Sequence, residues 1–376
     1  MKEIQSIKLN KEFLFIYDAA LCNPNGDPDQ ENKPRMDRAT QTNLVSDTRL
    51  KRTIRDFLID EGKEVFVSTM GGNKVSVETR LLSVVDDLVT DEPKFLTFVN
   101  NHIDLQSEFA SLKAEMEKPK DKNTKANPYA GNYFALYHEA KADVKKKDTI
   151  PFKNVSNEIL IGLIKDRFID IRYFGGAFAV AGFSRTITGP IQVNWGYSLH
   201  PVELNTSNSI VTIMGSTEGQ SGIGKKETLF YSLIAFTGTI NVRKAEIIGL
   251  AENDVTDFRR SIVRGIVEQR SDSKKNQYPR LYLEIEYKKD KSYGQLGDLR
   301  SLIDVSSNSE KDNKDFSKVR SLKEVRIDFK RLYDGIAKIK ENIECIRIWQ
   351  SIDDSFASFN IPTSVIDANK IVKLNF

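Results

Sequence analysis

Apolar and polar positions alternate, run together or recur at helical spacing along this chain, and these patterns mark out most of its elements. Phe13, Leu14, Phe15, Ile16 and Tyr17 are consecutive, which predicts a central strand covered on both faces. Their rings are therefore expected in the core, and not as an exposed platform for stacking bases. The run from Cys22 to Asp29, Cys-Asn-Pro-Asn-Gly-Asp-Pro-Asp, is a string of turn formers, and Pro34 to Asp37 leads onward. A helix is expected to begin near Asp47, because Ser46 can cap its first turn and no Pro or Gly follows as far as Asp60. Leu50, Ile54, Phe57 and Leu58 form its apolar stripe, Lys51, Arg52 and Arg55 form a cationic flank, and Arg49 projects near the start.

Strand-like pieces at Glu64 to Val67 and Lys74 to Val77, divided by Met70 to Asn73, predict a hairpin. From Leu88 to about Lys147 the chain turns polar and Lys-rich, with helical stretches between Phe95 and Glu117 and a loose centre at Lys118 to Asn127. That pattern reads as an inserted helical lobe with a flexible basic loop. Ser156 to Arg167 is expected to be helical, Asp170 to Phe174 extended, and Thr188 to Leu199 a strand. Thr228 to Ile240 reads as a second buried strand, and Asn253 to Arg270 as a helix with Val255, Phe258, Ile262 and Ile266 inward. Leu281, Leu283, Ile285 and Tyr287 alternate with Tyr282, Glu284 and Glu286, the pattern of a strand with one wet side. Two β-α-β units of this kind can close one antiparallel, ferredoxin-like sheet, so the fold class expected is α+β. Lys288 to Lys318 reads as a second polar insertion, followed by a last helix through Phe329, Leu332 and Ile336 and an extended piece at Cys345 to Trp349.

Composition adds little to this picture. The chain has 376 residues, 39% hydrophobic and 29% charged, with a formal charge of only +3, so any surface for a polyanion must come from local clustering of Lys and Arg. Two distant cysteines form no disulfide framework, which fits a reducing compartment, and the N-terminal stretch lacks the apolar core of a signal peptide. A cytoplasmic protein with no membrane partner is expected.

Candidate catalytic chemistry is sparse. Gly219 to Lys226 nearly matches a phosphate-binding loop but ends in Lys226 where Ser or Thr should hold magnesium, and an apolar strand follows where a helix should. Asn25, Asp27 and Asp29 alternate oxygen ligands without the closing Glu of a calcium loop, and the three histidines stand in separate regions. Asp18, Asp27 and Asp37 could gather to support metal-assisted cleavage of RNA. Against that stands the basic helix, whose free N–H groups and guanidinium forks suit phosphate.

With the first strand, the Asn-Pro-Asn-Gly-Asp-Pro loop and the Ser-Asp-x-Arg-Leu-Lys-Arg-x-Ile-Arg helix in place, the chain resembles the Cas-seven family, the CRISPR-associated backbone subunit of Cascade surveillance complexes, in a type I-B-like pattern. The resemblance continues through Asp170 to Gly176, Thr188 to Pro201, Leu233 to Gly238 and Pro279-Arg-Leu, in the family's order. It implies an RNA-recognition-motif-like palm at residues 1–61 and 169–376, a helical finger lobe at 62–168 and a β-hairpin thumb at 203–228. It also implies a non-enzymatic protein without a cofactor, copies of which line the guide RNA (crRNA) as a helical filament. Other Cascade subunits join the filament, and target DNA is met through the guide in antiviral defence. By the same resemblance Ser46, Arg49, Lys51, Arg52 and Arg55 are guide-backbone ligands, and the Phe174-Gly175-Gly176 turn approaches the RNA closely. A bulky residue often follows two positions beyond the first Gly; here Ala177 stands there and Phe178 comes next, so Phe178, Ile213 and Met214 are all candidates for the wedge between nucleotides. Lys225 and Lys226 at the thumb are expected to reach phosphates. Type III relatives cleave target RNA with an Asp in the loop after the first strand, which keeps a metal-dependent endoribonuclease using Asp27 or Asp37 as the alternative.

Overall fold

The computed structural model describes residues 6–69, 71–118, 128–180, 183–212, 222–268, 271–308, 316–352, 356 and 359–376. Contacts divide the chain into two compact units, Met1–Gly62 with Pro190–Phe376, and Lys63–Gly189. The sequence places the second boundary at 168/169; by contacts it falls after Gly189, so that the Phe174 turn and the hairpin behind it go with the helical unit.

The first unit is built on the apolar run of Phe13 to Tyr17. Its strand, Lys11–Cys22, lies between Thr228–Ile240 and Gln277–Tyr287 and is antiparallel to both. Gly196–Ser198 continues the sheet beyond Thr228–Ile240, and Ile343–Gln350 continues it beyond Gln277–Tyr287. Both faces are covered, as the unbroken apolar run predicts. Leu14 and Ile16 join a core with Leu283, Leu332 and Ile346, while Phe13 on the other face meets Phe258 with ring centroids 5.5 Å apart. Phe258 belongs to the helix Glu252–Glu268, which packs beside the helix Asp47–Asp60. Gly238 has to be glycine, because an added Cβ would lie 2.3 Å from the Phe13 ring and 2.5 Å from the Gln192 carbonyl oxygen.

Two expectations for this unit need correction. The wet side of Gln277–Tyr287 is dry. Tyr282 and Glu284 are fully buried and Glu286 nearly so, under the Glu252–Glu268 helix. Arg259 from that helix grips Glu284 through two bonds of 2.8 and 3.0 Å, and Arg347 and Lys11 pair with Glu286. The predicted strand Thr188 to Leu199 is broken into Ile191–Val193 and Gly196–Ser198, with the Asn194 amide diverted to the Thr237 carbonyl at 2.9 Å. The extended piece expected at Cys345 is there as the strand Ile343–Gln350, with a parallel edge strand at Ile371–Lys373.

The second unit contains the helices Val77–Val89, Glu92–Asn101, Ile103–Met116, Tyr133–Ala142 and Ile150–Arg167, packed round Phe95, Phe109 and Tyr137. The inserted lobe is helical, as expected. Among the described residues the hairpin expected at Glu64 to Val77 is absent, for two reasons. Asp170, fully buried, takes the Phe66 and Val67 amides at 2.7 and 3.2 Å, so those groups serve a loop. Ser76 caps the Thr79 amide at 3.0 Å and starts the Val77–Val89 helix, which takes the last residue of the second half. Asp170 itself sits in a short helix, Ile169–Phe174, where extended chain was expected. A hairpin, Gly175–Val180 with Phe183–Thr188, follows it. Among the described residues no helix is long and apolar enough to cross a membrane.

Candidate nucleic-acid interface

The cationic helix forms where the sequence places it, Asp47–Asp60, and its N-terminus is fixed from both sides. The Ser46 hydroxyl accepts the Arg49 amide at 3.2 Å and donates to Asn25 Oδ1 at 2.9 Å, while the Ser46 amide reaches the same oxygen at 2.8 Å. The turn-rich loop after the first strand therefore holds the helix start in place. Leu50, Ile54, Phe57 and Leu58 are buried, which leaves the basic positions on the outer flanks.

Those positions are not equivalent. Lys51 pairs with Asp47 at 2.8 Å, and Arg52, more than half exposed, pairs with Asp56 at 2.7 Å. The Arg52 pair, exposed on the Arg side, is worth little and yields readily to a stronger anion. Arg55 is half-buried on the same flank. Arg49, also half-buried, reaches no carboxylate within ion-pair distance among the described residues, and burial makes its charged form less favourable than usual.

A further cation, Lys274, is anchored on the loop that follows the first strand. The turn after Glu252–Glu268 is tied to the first-strand loop, since the Asn23 amide donates to the Ser273 carbonyl at 2.9 Å and the Lys274 ammonium donates to the Asn23 carbonyl. Burial, and then repulsion from Arg49, push Lys274 down to about 8. Lys226 and Lys275 on the same side share Asp272 at 2.8 and 2.9 Å, and the Lys226 bond and then the Lys275 bond hold that carboxyl down to about 2. Lys225 is exposed, at the end of the hairpin Ser209–Thr212 with Gly222–Lys225. Ile213 and Met214, and the tip as far as Ser221, lie outside the described residues. Past that tip the chain enters the strand Thr228–Ile240, so no helix follows the near-match to a phosphate loop.

The hairpin of the second unit answers the expectations differently. Gly175 takes φ +72°, and a Cβ there would sit 1.9 Å from the Ile187 carbonyl oxygen, so its glycine is demanded by the hairpin's own closure. Gly176 and Phe174 are half-buried. Phe178 is 2% exposed, edge-on to Phe66 at 5.3 Å. Its ring is core and offers no face to a nucleotide; Ala177 and Ala179 are what the hairpin turns outward.

The candidate carboxylates are each engaged locally. Asp27 bonds Arg35 at 3.1 Å and the Asp29 amide at 3.2 Å. The Thr40 hydroxyl and then the Ala39 amide hold the Asp37 carboxyl below the usual carboxylate range. Asp18 is buried against Arg280 at 2.9 Å. Among the described residues no three His, Cys, Asp or Glu side chains gather closely enough to hold a metal ion. Lys274 was not singled out from sequence, because its only signal is a Lys-Lys pair in a polar turn. Trp195, 46% exposed beside the Arg35 guanidinium at 5.5 Å, was likewise read as part of a strand.

The protein called CRISPR-associated protein Cas7 of Haloferax volcanii is 26% identical over 342 residues, covering 90% of this chain and 85% of the relative. Chains of two solved structures are similar in backbone: one from a CRISPR RNA-guided surveillance complex in a pre-nicking state, with TM-score 0.49, 13% identity and coverage of 98% of this chain and 96% of that one. The other, from a CRISPR RNA-guided surveillance complex, has TM-score 0.46, 9% identity and coverage of 98% and 95%. The model of the family described as CRISPR-associated protein Cas7 matches residues 9–330, most of the sequence, and the chain therefore belongs to that family.

Proposed function

We propose that this protein is a guide-RNA-binding backbone subunit of a Cascade-type surveillance complex, which polymerises along the guide and leaves its bases available to target DNA. The family match over residues 9–330 carries this reading. The strand order supports a ferredoxin-like, RNA-recognition-type palm: Gln277–Tyr287, Lys11–Cys22, Thr228–Ile240 and Gly196–Ser198 are adjacent and antiparallel, with the helices Asp47–Asp60 and Glu252–Glu268 packed side by side. The sheet faces are covered, so contact with RNA falls to the cationic helix and loops and not to strand aromatics. Backbone contacts of this kind are indifferent to sequence, which suits a subunit that must hold any guide while pairing reads the target.

The same reading makes the chain a binder and not a nuclease. Asp27 and Asp37 are occupied by bonds that shape their own loops, which is what a structural role requires. The test is incubation of the RNA-loaded protein with guide and complementary RNA in magnesium or manganese. Intact RNA is expected; cleavage at regular spacing, lost in Asp27→Ala or Asp37→Ala, would replace this proposal with a metal-dependent endoribonuclease.

A further inference from the structure

One aromatic side chain of the first unit is held out to solvent by the backbone itself. Val193 pairs with Gly238 and Tyr197 with Ala235, so the stretch between them carries one residue more than the strand it faces, which makes a β-bulge. The extra residue breaks the alternation: Ile191, Val193, Gly196 and Ser198 are buried, whereas Asn194 and Trp195 are exposed one after the other. Three bonds fix the bulge. The Asn194 amide donates to the Thr237 carbonyl at 2.9 Å, the Asn194 side chain donates to Thr237 Oγ1 at 3.1 Å, and the Arg300 guanidinium donates to the Trp195 carbonyl. Gly196 pairs with Val45, and Trp195 and the helix cap Ser46 are the next residues at the same end of that pair. Trp195, 46% exposed, therefore stands beside the head of the cationic helix. Arg35 lies over its indole, with the guanidinium carbon 5.5 Å from the ring centroid. That cation is placed from three directions: its amide donates to the Asn25 carbonyl at 2.9 Å, its carbonyl accepts the Leu44 amide at 2.8 Å, and its guanidinium bonds Asp27 at 3.1 Å.

We propose that Trp195, with Arg35 over its indole, is a stacking platform for one base of a bound single-stranded RNA. The inference rests on the RNA-binding reading above and adds to it a contact of another kind, an aromatic surface that no charge on the helix supplies. A flat ring beside a cationic track is the combination that holds single strands without reading their sequence, because every base has a π-face. Stacking takes a base by its face and leaves its hydrogen-bonding edge free, which suits a guide that is read by pairing. An aromatic anchor for a protein partner sits in a well-packed, largely apolar patch, but the groups set against Trp195 are Arg35, Asn194 and Arg300. The strand aromatics remain core, and Trp195 escapes their fate because the bulge turns it outward.

The experiment follows tryptophan emission as the full-length protein is titrated with a single-stranded RNA of mixed sequence, for the unaltered chain, Trp195→Phe and Trp195→Ala. An oligomer of the same length and charge that lacks its bases is the comparison probe. The chain has two tryptophans, Trp195 and Trp349, so Trp195→Phe reports Trp349 alone. Stacking predicts that RNA quenches the unaltered chain and the base-free oligomer does not, and that Trp195→Phe loses the quenching while keeping most of the affinity. Trp195→Ala should bind about fivefold or more weakly, the effect of losing one stacked base. Its salt slope should not change, because no charge has been removed. Thermal melts of each variant control for folding. Three results refute the platform and leave the RNA-binding reading standing: no quenching by RNA, equal quenching by the base-free oligomer, or a Trp195→Ala chain that binds RNA as tightly as the unaltered one. A Trp195→Ala chain that binds RNA normally but no longer assembles with its own copies would make this surface a protein contact. If the unaltered chain binds no RNA, both readings fall.

Discussion

Replacing Arg259 with alanine tests whether the buried ion network under the Glu252–Glu268 helix holds the sheet together. Glu284 has no exposure at all, and its carboxylate takes two bonds from Arg259, one from the Tyr282 hydroxyl at 2.7 Å, and a long one from Arg347 at 3.5 Å. Breaking one side of such a pair usually costs about 3–5 kcal/mol, because the survivor is left charged without water. Here Arg347 remains nearby, although it is already shared with Glu286 at 3.0 Å, so the lower end, about 3 kcal/mol, is expected. Burial pushes the Glu284 carboxyl up, but the Arg259 charge, its hydrogen bonds and Lys11 outweigh that and hold it below its ordinary 4.5. In the unaltered chain this contribution is therefore present above about 4.5 and fades as the pH falls through the lower native value. Without Arg259 burial dominates, so the variant should lose most at neutral pH and close the gap in acid. Urea unfolding followed by far-UV circular dichroism at neutral and acid pH measures this, alongside Arg259→Met with Glu284→Leu. The double variant, with no orphaned charge, should recover most of the loss. A single variant that costs under about 1 kcal/mol, or a double variant as unstable as the single, would refute the reasoning.

Burial holds the His200 imidazole down to about 4 from its ordinary 6.5, so its stabilising effect is complete above about 6.5 and disappears as the pH falls through about 4. An NMR titration showing His200 ionising near 6.5 would contradict its placement against Tyr231 and Phe316. Gly175→Ala should destabilise the second unit by at least about 2 kcal/mol, from its positive φ and the Ile187 clash, with earlier proteolysis of residues 63–189 as the readout. Ser46→Ala should cost about 1 kcal/mol and, by freeing Asn25, raise hydrogen exchange in the loop that follows the first strand; unchanged exchange there would mean the loop is held by other bonds.

What the sequence revealed was what local chemistry decides. Consecutive Phe13 to Tyr17 could only be a covered strand, and Ser46 with an uninterrupted amphipathic run could only start a helix. What it concealed was partnership at a distance. Glu284 and Glu286 alternate with apolar residues just as a wet face would, and nothing near them announces that Arg259, Lys11 and Arg347 will converge on them. Val65 to Val67 have strand chemistry, but Asp170, a hundred residues on, takes the Phe66 and Val67 amides for a loop. Within the candidate interface the helix was legible because caps and stripes are local. The place of Lys274 was not, because only the fold brings its turn to Asn23. Phe178 failed as a wedge for the same reason: a Phe after two glycines in an exposed-looking hairpin gives no sign that Phe66 will cover it.

The most direct test of the central claim is to purify the protein, expressed with a CRISPR array and its companion subunits, and to determine the length of the RNA that comes with it together with the number of protein copies per RNA. RNA of one uniform length carrying several copies of the chain is the result expected. Protein free of RNA, or bound to fragments of random length one copy at a time, would contradict it.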